Sequence, residues 1–222
     1  MNNIKANLSA LHERIGDACR RSSREVSEIH LVAVTKEVDS IAVEDAFSLG
    51  LREFGENRVQ EAAVKTEGLR HLKPAAKWHM IGHLQSNKAG KAMGIFDMIQ
   101  SVDSVKLARF MDMHARDAMP VLLQVDFTGR AGRSGFSADE LPSAYREIKQ
   151  LAGLNIMGLM TVAPQAPDAQ HARPFFKELR RLGRALRLEH LSMGMTDDFE
   201  VAIEEGATII RVGRAIFGQR RN

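Results

Sequence analysis

Short apolar runs recur along the chain, and amphipathic stretches separate them. Eight runs read as strands: residues 31–35, 53–55 with their flanks, 78–81, 98–102, 121–127, 156–161, 190–193 and 209–212. Between them, side chains recur three and four positions apart. Ile41, Asp45 and Leu49 form one such row, Phe175, Leu179, Leu182 and Leu186 a second, and residues 201–207 a third. Alternating strands and helices imply a parallel sheet, because parallel strands need crossover connections. Eight such units in 222 residues predict a (β/α)8 TIM barrel. A doubly wound open sheet is the alternative. Ile4, Leu8, Leu11, Ile15 and Cys19 lie at helical spacing with charges between them, which predicts one extra helix before the first strand. This pattern is amphipathic, unlike the apolar centre of a signal peptide. No run approaches the length of a membrane span. A cytoplasmic location is therefore expected. The pattern keeps its character throughout and no Pro- or Ser-rich linker interrupts it, so residues 1–222 are expected to form a single domain.

Composition narrows the function classes. Hydrophobic residues make up 44% and charged residues 27%, as in ordinary globular chains. The net charge is +3, from 31 basic and 28 acidic residues, without the clustered excess typical of a nucleic-acid binder. The stretch "RRLGRALR" interleaves Arg180, Arg181, Arg184 and Arg187 with leucines and reads as a solvated helix face. The one cysteine, Cys19, excludes an intrachain disulfide and a Cys-rich metal site. It is expected to pack as a small hydrophobe.

In a parallel barrel the C-terminal ends of all strands converge on one face, where function resides. Those ends carry Lys36, Asn57, His79 with His83, Asp103, and the segments "QVDFTG", "LMTVAP", "SMGMTDD" and "RVGRAIFG". The loops "QAPDAQ" (165–170) and "FTGRAGRSGF" (127–136) belong to the same face. Two segments suit a phosphate. "SMGMT" combines Ser192 and Thr196 hydroxyls with Gly194, where backbone can approach a ligand closely. It leads into "DDFEVAIEEG", a helix start that Thr196 can cap and whose free N–H groups attract an anion. "RVGR" places Gly213 between two arginines. Each segment also has a plain structural reading, as a cap and as a turn. A lysine ending the first strand likewise suits the surface. A lysine facing a phosphate site across a barrel is economically explained by a Schiff base with a phosphorylated aldehyde, and pyridoxal 5'-phosphate fits.

The spacing of His79 and His83 could suggest a metal pair, but it spans a strand end and a glycine without an accompanying acid or thiol, and no metal is expected. The acidic group Asp197, Asp198, Glu200, Glu204 and Glu205 reads as charge complementing a helix dipole.

The segments "LVAVTKEV", "FGENRVQE", "WHMIGHLQSNK", "GLMTVAP" and "LSMGMTDDFEVAIEEGATIIRVGRAIFG" together resemble the YggS/PROSC family of pyridoxal phosphate homeostasis proteins. The likeness runs from the N-terminal helix to Gly218. It implies a barrel like the N-terminal domain of alanine racemase without that enzyme's second domain, and a monomer. It implies that Lys36 carries the cofactor as an internal aldimine. Ser192, Gly194, Met195, Thr196 and Gly213 fall on the family's phosphate-binding segments, and Asn57, His79 and Met160 on segments lining the ring pocket. Arg211 matches an arginine near the cofactor, set either toward the pyridine nitrogen or on the phosphate. In the first position its guanidinium can only donate, so the nitrogen stays unprotonated and the ring is a weaker electron sink. Three positions depart from the family pattern: His83 in place of a common proline, Arg214 in place of a small residue, and Thr196 in place of a common serine.

Three functions are compatible with these residues. The first is a carrier that holds pyridoxal phosphate, sustains its homeostasis and delivers it to apo-forms of pyridoxal-phosphate enzymes. The second is a weak amino-acid racemase using the same lysine. Alanine racemase takes its opposing acid/base tyrosine from the partner subunit's second domain, whereas the one tyrosine here, Tyr145, lies in the helical stretch "DELPSAYREIKQ". The third is an isomerase or aldolase on a sugar phosphate, with Lys36 bonding to substrate.

Overall fold

The computed structural model describes residues 3–129, 132 and 134–219. Eight parallel strands close into a barrel in chain order: β1 (His30–Val34), β2 (Glu53–Glu56), β3 (Lys77–Met80), β4 (Met98–Val102), β5 (Met119–Val125), β6 (Leu154–Thr161), β7 (His190–Ser192) and β8 (Ile209–Val212). The closing pair, β1 with β8, aligns Val32 with Arg211 and Ala33 with Val212. An open sheet is thereby excluded. Strand boundaries differ from the sequence expectation mainly at loop ends. β1, β3, β5 and β7 end one or two residues early, at Val34, Met80, Val125 and Ser192.

Helices α1 (Ile4–Arg21), α2 (Ser40–Ser48), α3 (Val59–Gly68), α4 (Ala89–Met93), α5 (Val105–Asp112), α6 (Leu141–Ile148), α7 (Arg173–Leu186), α8 (Phe199–Glu204) and α9 (Arg214–Phe217) surround the barrel. α1 precedes the first strand as expected. It buries Ile4, Leu8, Leu11, Ile15 and Cys19 on one face, and Asn3 caps its start by accepting from Ala6 N–H. Cys19 is packed in the core.

α2 corrects the sequence reading. The row Ile41, Asp45 and Leu49 is its outer face, with Ile41 72% exposed, while Val43 and Ala46 point inward. The face toward the barrel is built from Val43 and Ala46, with Ala42 and Phe47 packed beside them. The arginine-rich helix α7 follows the expected pattern. It buries Phe176, Leu179 and Leu182, and Arg180 and Arg181 pair with Glu205 and Glu178 at its surface.

Side chains alternate across each strand. One set packs between sheet and helices in a continuous apolar layer that includes Ala33, Phe54, Trp78, Ile99, Leu159, Ile210 and Val212. The other set fills the barrel interior, where Val32, Leu122, Met160 and Ile209 form a separate apolar cluster. The interior is also strongly polar. His79, Gln100, Ser192 and Arg211 are all buried. Among the described residues no helix is long and apolar enough to cross a membrane.

Candidate cofactor site at the barrel mouth

A cavity of about 510 Å³ opens at the C-terminal ends of β6, β7, β8 and β1. That volume suits a small organic ligand. Val34 and Lys36 enter from β1, Met195 to Asp198 from the β7–α8 turn, and Arg211, Gly213 and Arg214 from β8 and the start of α9. The β6–α7 loop contributes a largely apolar wall of Ala163, Pro164, Ala166, Ala169 and Ala172, interrupted by Gln165 and Asp168. The loop 165–170 thus borders the site, as its position predicts. The loop 127–136 falls partly outside the described residues.

Five of the ten sequence-selected residues line this cavity: Lys36, Met195, Thr196, Arg211 and Gly213. Gly194 shapes the turn beside them. Its φ is +93°, and a Cβ there would sit 2.5 Å from Ala202 Cβ. Both facts require glycine. Its carbonyl accepts from Arg211 N–H at 3.0 Å, which ties the turn to β8. Asn57, His79, Met160 and Ser192 do not line the cavity. Met160 and Ser192 lie deeper in the barrel, with His79 beyond them, and Asn57 follows β2 on the other side of β1.

Ser192 is fully buried, and both of its hydrogen-bonding roles are taken. Arg211 Nη1 donates to Ser192 Oγ at 2.5 Å, and Ser192 Oγ donates to Gln100 Oε1 at 2.6 Å. Gln100 Nε2 lies 3.0 Å from His79 Nδ1. His79 Nε2 is 3.2 Å from Glu53 Oε2, though misaligned for a hydrogen bond. Glu53 Oε1 is 2.8 Å from His30 Nδ1. One end of this chain is a guanidinium, which can only donate; the other is a carboxylate, which can only accept. The guanidinium end fixes the order as far as Gln100: Ser192 accepts from Arg211 and donates to Gln100 Oε1, which leaves the Gln100 amide nitrogen facing His79 Nδ1.

The charges respond to this arrangement. Burial pulls the Arg211 guanidinium down to about 10, and nearby Asp198 opposes the shift, so Arg211 is cationic at neutral pH. Burial pushes the Glu53 carboxyl up, but its contacts with His79 and His30 outweigh burial and hold it at about 2. Arg211 Nη2 also donates to the Thr161 carbonyl at 2.8 Å. Its orientation is thus set from two sides of the barrel. Gln100 escaped the sequence reading. Its signal was a lone amide in the apolar run "MIQSV".

One cap differs from expectation. The residue before α8 is Asp198, not Thr196, and its carboxylate accepts from Met195 N–H at 2.6 Å. Burial raises this carboxyl against the lowering effect of that hydrogen bond and of Arg211. Asp197, Asp198 and Glu200 lie at the start of α8, where the dipole favours them, but Glu204 and Glu205 lie at its C-terminal end, where negative charge is unfavourable. Four of the five also form ion pairs: Glu200 with Arg14, Glu204 with Arg21 and Arg173, Glu205 with Arg173 and Arg180, and Asp197 with Arg214. Arg214 thus reaches the cavity rim already paired. His83 contacts Asp103 at 2.8 Å and is exposed, whereas His79 is buried in the barrel, so the two do not form a pair. Among the described residues no cluster has the makings of a metal site.

The site therefore offers a primary amine, a buried guanidinium, a hydroxyl and a glycine turn against an apolar wall, a donor set for an anionic carbonyl compound with a flat body. Comparison with known proteins agrees. Residues 3–221 match the model of the alanine racemase N-terminal domain. The chain is 38% identical over 223 residues to the pyridoxal phosphate homeostasis protein of Aquifex aeolicus, covering 96% of this chain and 97% of that one. The chain belongs to the pyridoxal phosphate homeostasis protein family. The family protein of Pseudomonas aeruginosa is 39% identical, with 99% and 97% covered. Among solved structures, the family member PipY of Synechococcus elongatus with PLP bound superposes with a TM-score of 0.82 at 38% identity, covering 93% of this chain and 99% of that one. Alanine racemase of Clostridium difficile shares the fold at 14% identity, with a TM-score of 0.74, and this chain spans 58% of its length.

Proposed function

We propose that this protein binds pyridoxal 5'-phosphate covalently through Lys36 and maintains the cofactor's intracellular homeostasis, delivering it to apo-forms of pyridoxal-phosphate enzymes. The observation that carries this reading is the meeting of Lys36 and Arg211 in one cavity, beside a turn that only Gly194 can make. The cofactor supplies an aldehyde, which condenses with a primary amine as one water leaves, and an aromatic ring that absorbs visible light. Lys36 Nζ supplies the amine. Met195 and Thr196, with Gly213 opposite, hold the phosphate. Arg211 donates toward the ring nitrogen and, being a donor only, keeps that nitrogen unprotonated. His79, Met160 and Ser192 act from beneath the ring, by packing and by holding Arg211, and Asn57 borders the ring pocket from the β2 side. PipY, with PLP bound in its solved structure, supports the choice of cofactor.

A carrier is favoured over a racemase by what surrounds the cavity. Tyr145 lies on α6, with Lys149 over its ring, and does not line the site. The acids that line it with Lys36 are Asp168, Asp197 and Asp198, of which Asp197 is paired with Arg214 and Asp198 with Met195 N–H, and no tyrosine is among the lining residues. We also propose that the protein acts as a monomer in the cytoplasm.

The test is a spectrophotometric titration with pyridoxal phosphate. Wild-type protein is expected to develop the visible band of a Schiff base, and Lys36→Ala to show none. A protein that stays colourless overturns the proposal. Incubation of the loaded protein with L-alanine, followed by chiral analysis, separates carrier from racemase. Rapid formation of D-alanine would select the racemase.

A further inference from the structure

Lys36 sits in a turn whose geometry is fixed from outside the barrel. Thr35 N–H donates to the Gly55 carbonyl at 2.9 Å, and Val38 N–H donates to the Thr35 carbonyl at 3.0 Å. Between them Glu37 takes the left-handed conformation, with φ at 61°. For a residue other than glycine that conformation costs energy and persists only where its surroundings enforce it.

The enforcing groups are charged, and they come from β2 and α3. Lys65 on α3 is 7% exposed, and Glu56 at the end of β2 is fully buried. Lys65 Nζ donates to the Thr35 carbonyl at 2.5 Å and to Glu56 Oε1 at 2.6 Å, and lies 3.2 Å from Glu61 Oε1. Thr35 Oγ1 donates to the same Glu56 oxygen at 2.6 Å. Glu37 N–H donates to Glu61 Oε1 at 2.6 Å. The two peptide groups that flank the Lys36 Cα are therefore both held by one ionic cluster, Lys65 on the carbonyl side and Glu61 on the amide side. Burying Lys65 and Glu56 is expensive, and apolar side chains of similar volume would pack at lower cost. The second Glu56 oxygen is buried with no hydrogen-bond partner, a further cost that packing alone does not explain.

We propose that Lys65, Glu56 and Glu61 are positioning residues that set the direction in which Lys36 Nζ enters the cavity, and hence its rate of carbonyl capture. This inference rests on the reading of Lys36 as the amine that bonds pyridoxal phosphate. Two measurements test it, both at a temperature where circular dichroism shows each variant folded. The first needs no cofactor: amide hydrogen exchange of the 35–38 segment in the unloaded protein. Lys65→Met and Glu61→Ala are expected to speed exchange of the Glu37 amide by on the order of tenfold or more, and Glu61→Gln, which keeps an acceptor, to restore protection. The second is the rate at which the visible band appears after pyridoxal phosphate is added. Loss of alignment is expected to slow it by about tenfold to a hundredfold in Lys65→Met and Glu61→Ala, with Glu61→Gln returning near wild type. A purely structural role would lower the melting temperature and leave the capture rate of folded protein unchanged, which would overturn the proposal. Glu61 is partly exposed, so its variants decide the matter if Lys65→Met does not fold. Failure of the underlying reading looks different: Lys36→Ala would keep the covalent band, whatever the cluster variants do.

Discussion

At the scale of single residues, this site is governed by groups that have no choice of role. The Arg211 guanidinium can only donate and stays charged despite burial, so every polar side chain it touches must accept from it. Glu53, at the far end of the same chain, can only accept. Its carboxyl lies at about 2 against an ordinary 4.5, so its contacts stabilise the fold fully above about pH 4.5, and that contribution disappears as pH falls toward about 2. Glu53→Gln is therefore expected to flatten the acid limb of a stability–pH profile between those values, as read by urea denaturation. A variant with an unchanged acid limb would contradict the assignment. Gly194 has as little freedom. Gly194→Ala must relieve both a positive φ and a Cβ contact of 2.5 Å, and is expected to lose at least about 2 kcal/mol of stability and most affinity for pyridoxal phosphate, measured by denaturation and titration.

At the scale of elements, strands were readable because a buried parallel strand is a nearly continuous apolar run, and eight such runs have few alternative arrangements. Helix faces were less readable. α2 shows Ile41 to solvent and turns Val43, Ala46 and part of Phe47 to the barrel, so the row Ile41, Asp45, Leu49 marks its outer face. Strand-end residues were found because chain order alone carries them to one face. The polar chain inside the barrel was not found, because its members lie on β2, β3, β4, β7 and β8 and only closure of the sheet brings them together. The same closure sets Ser192 between Arg211 and Gln100. Gln100→Leu is expected to strand the Ser192 hydroxyl and His79 Nδ1, costing about 1–3 kcal/mol. It should also weaken cofactor binding, because the Ser192 hydroxyl that accepts from Arg211 loses the group that orients it. Calorimetry on the loaded and unloaded variant checks both effects.

At the scale of the molecule, one end of the barrel carries the chemistry and the polar interior supports it. Lys36 approaches from β1, the glycine turn from β7 and Arg211 from β8, and the apolar wall of the β6–α7 loop completes the cavity. The surrounding ion pairs join α1 and α7 to α8, so the helix after the glycine turn is braced from two sides. The proposed function depends on one covalent bond, between Lys36 and pyridoxal phosphate. That bond can be located directly. Protein loaded with pyridoxal phosphate is reduced with borohydride, digested and mapped by mass spectrometry. The reduced phosphopyridoxyl group is expected on the peptide containing Lys36 and on that residue alone. Its stoichiometric appearance on any other lysine, with Lys36 unmodified, would contradict the account.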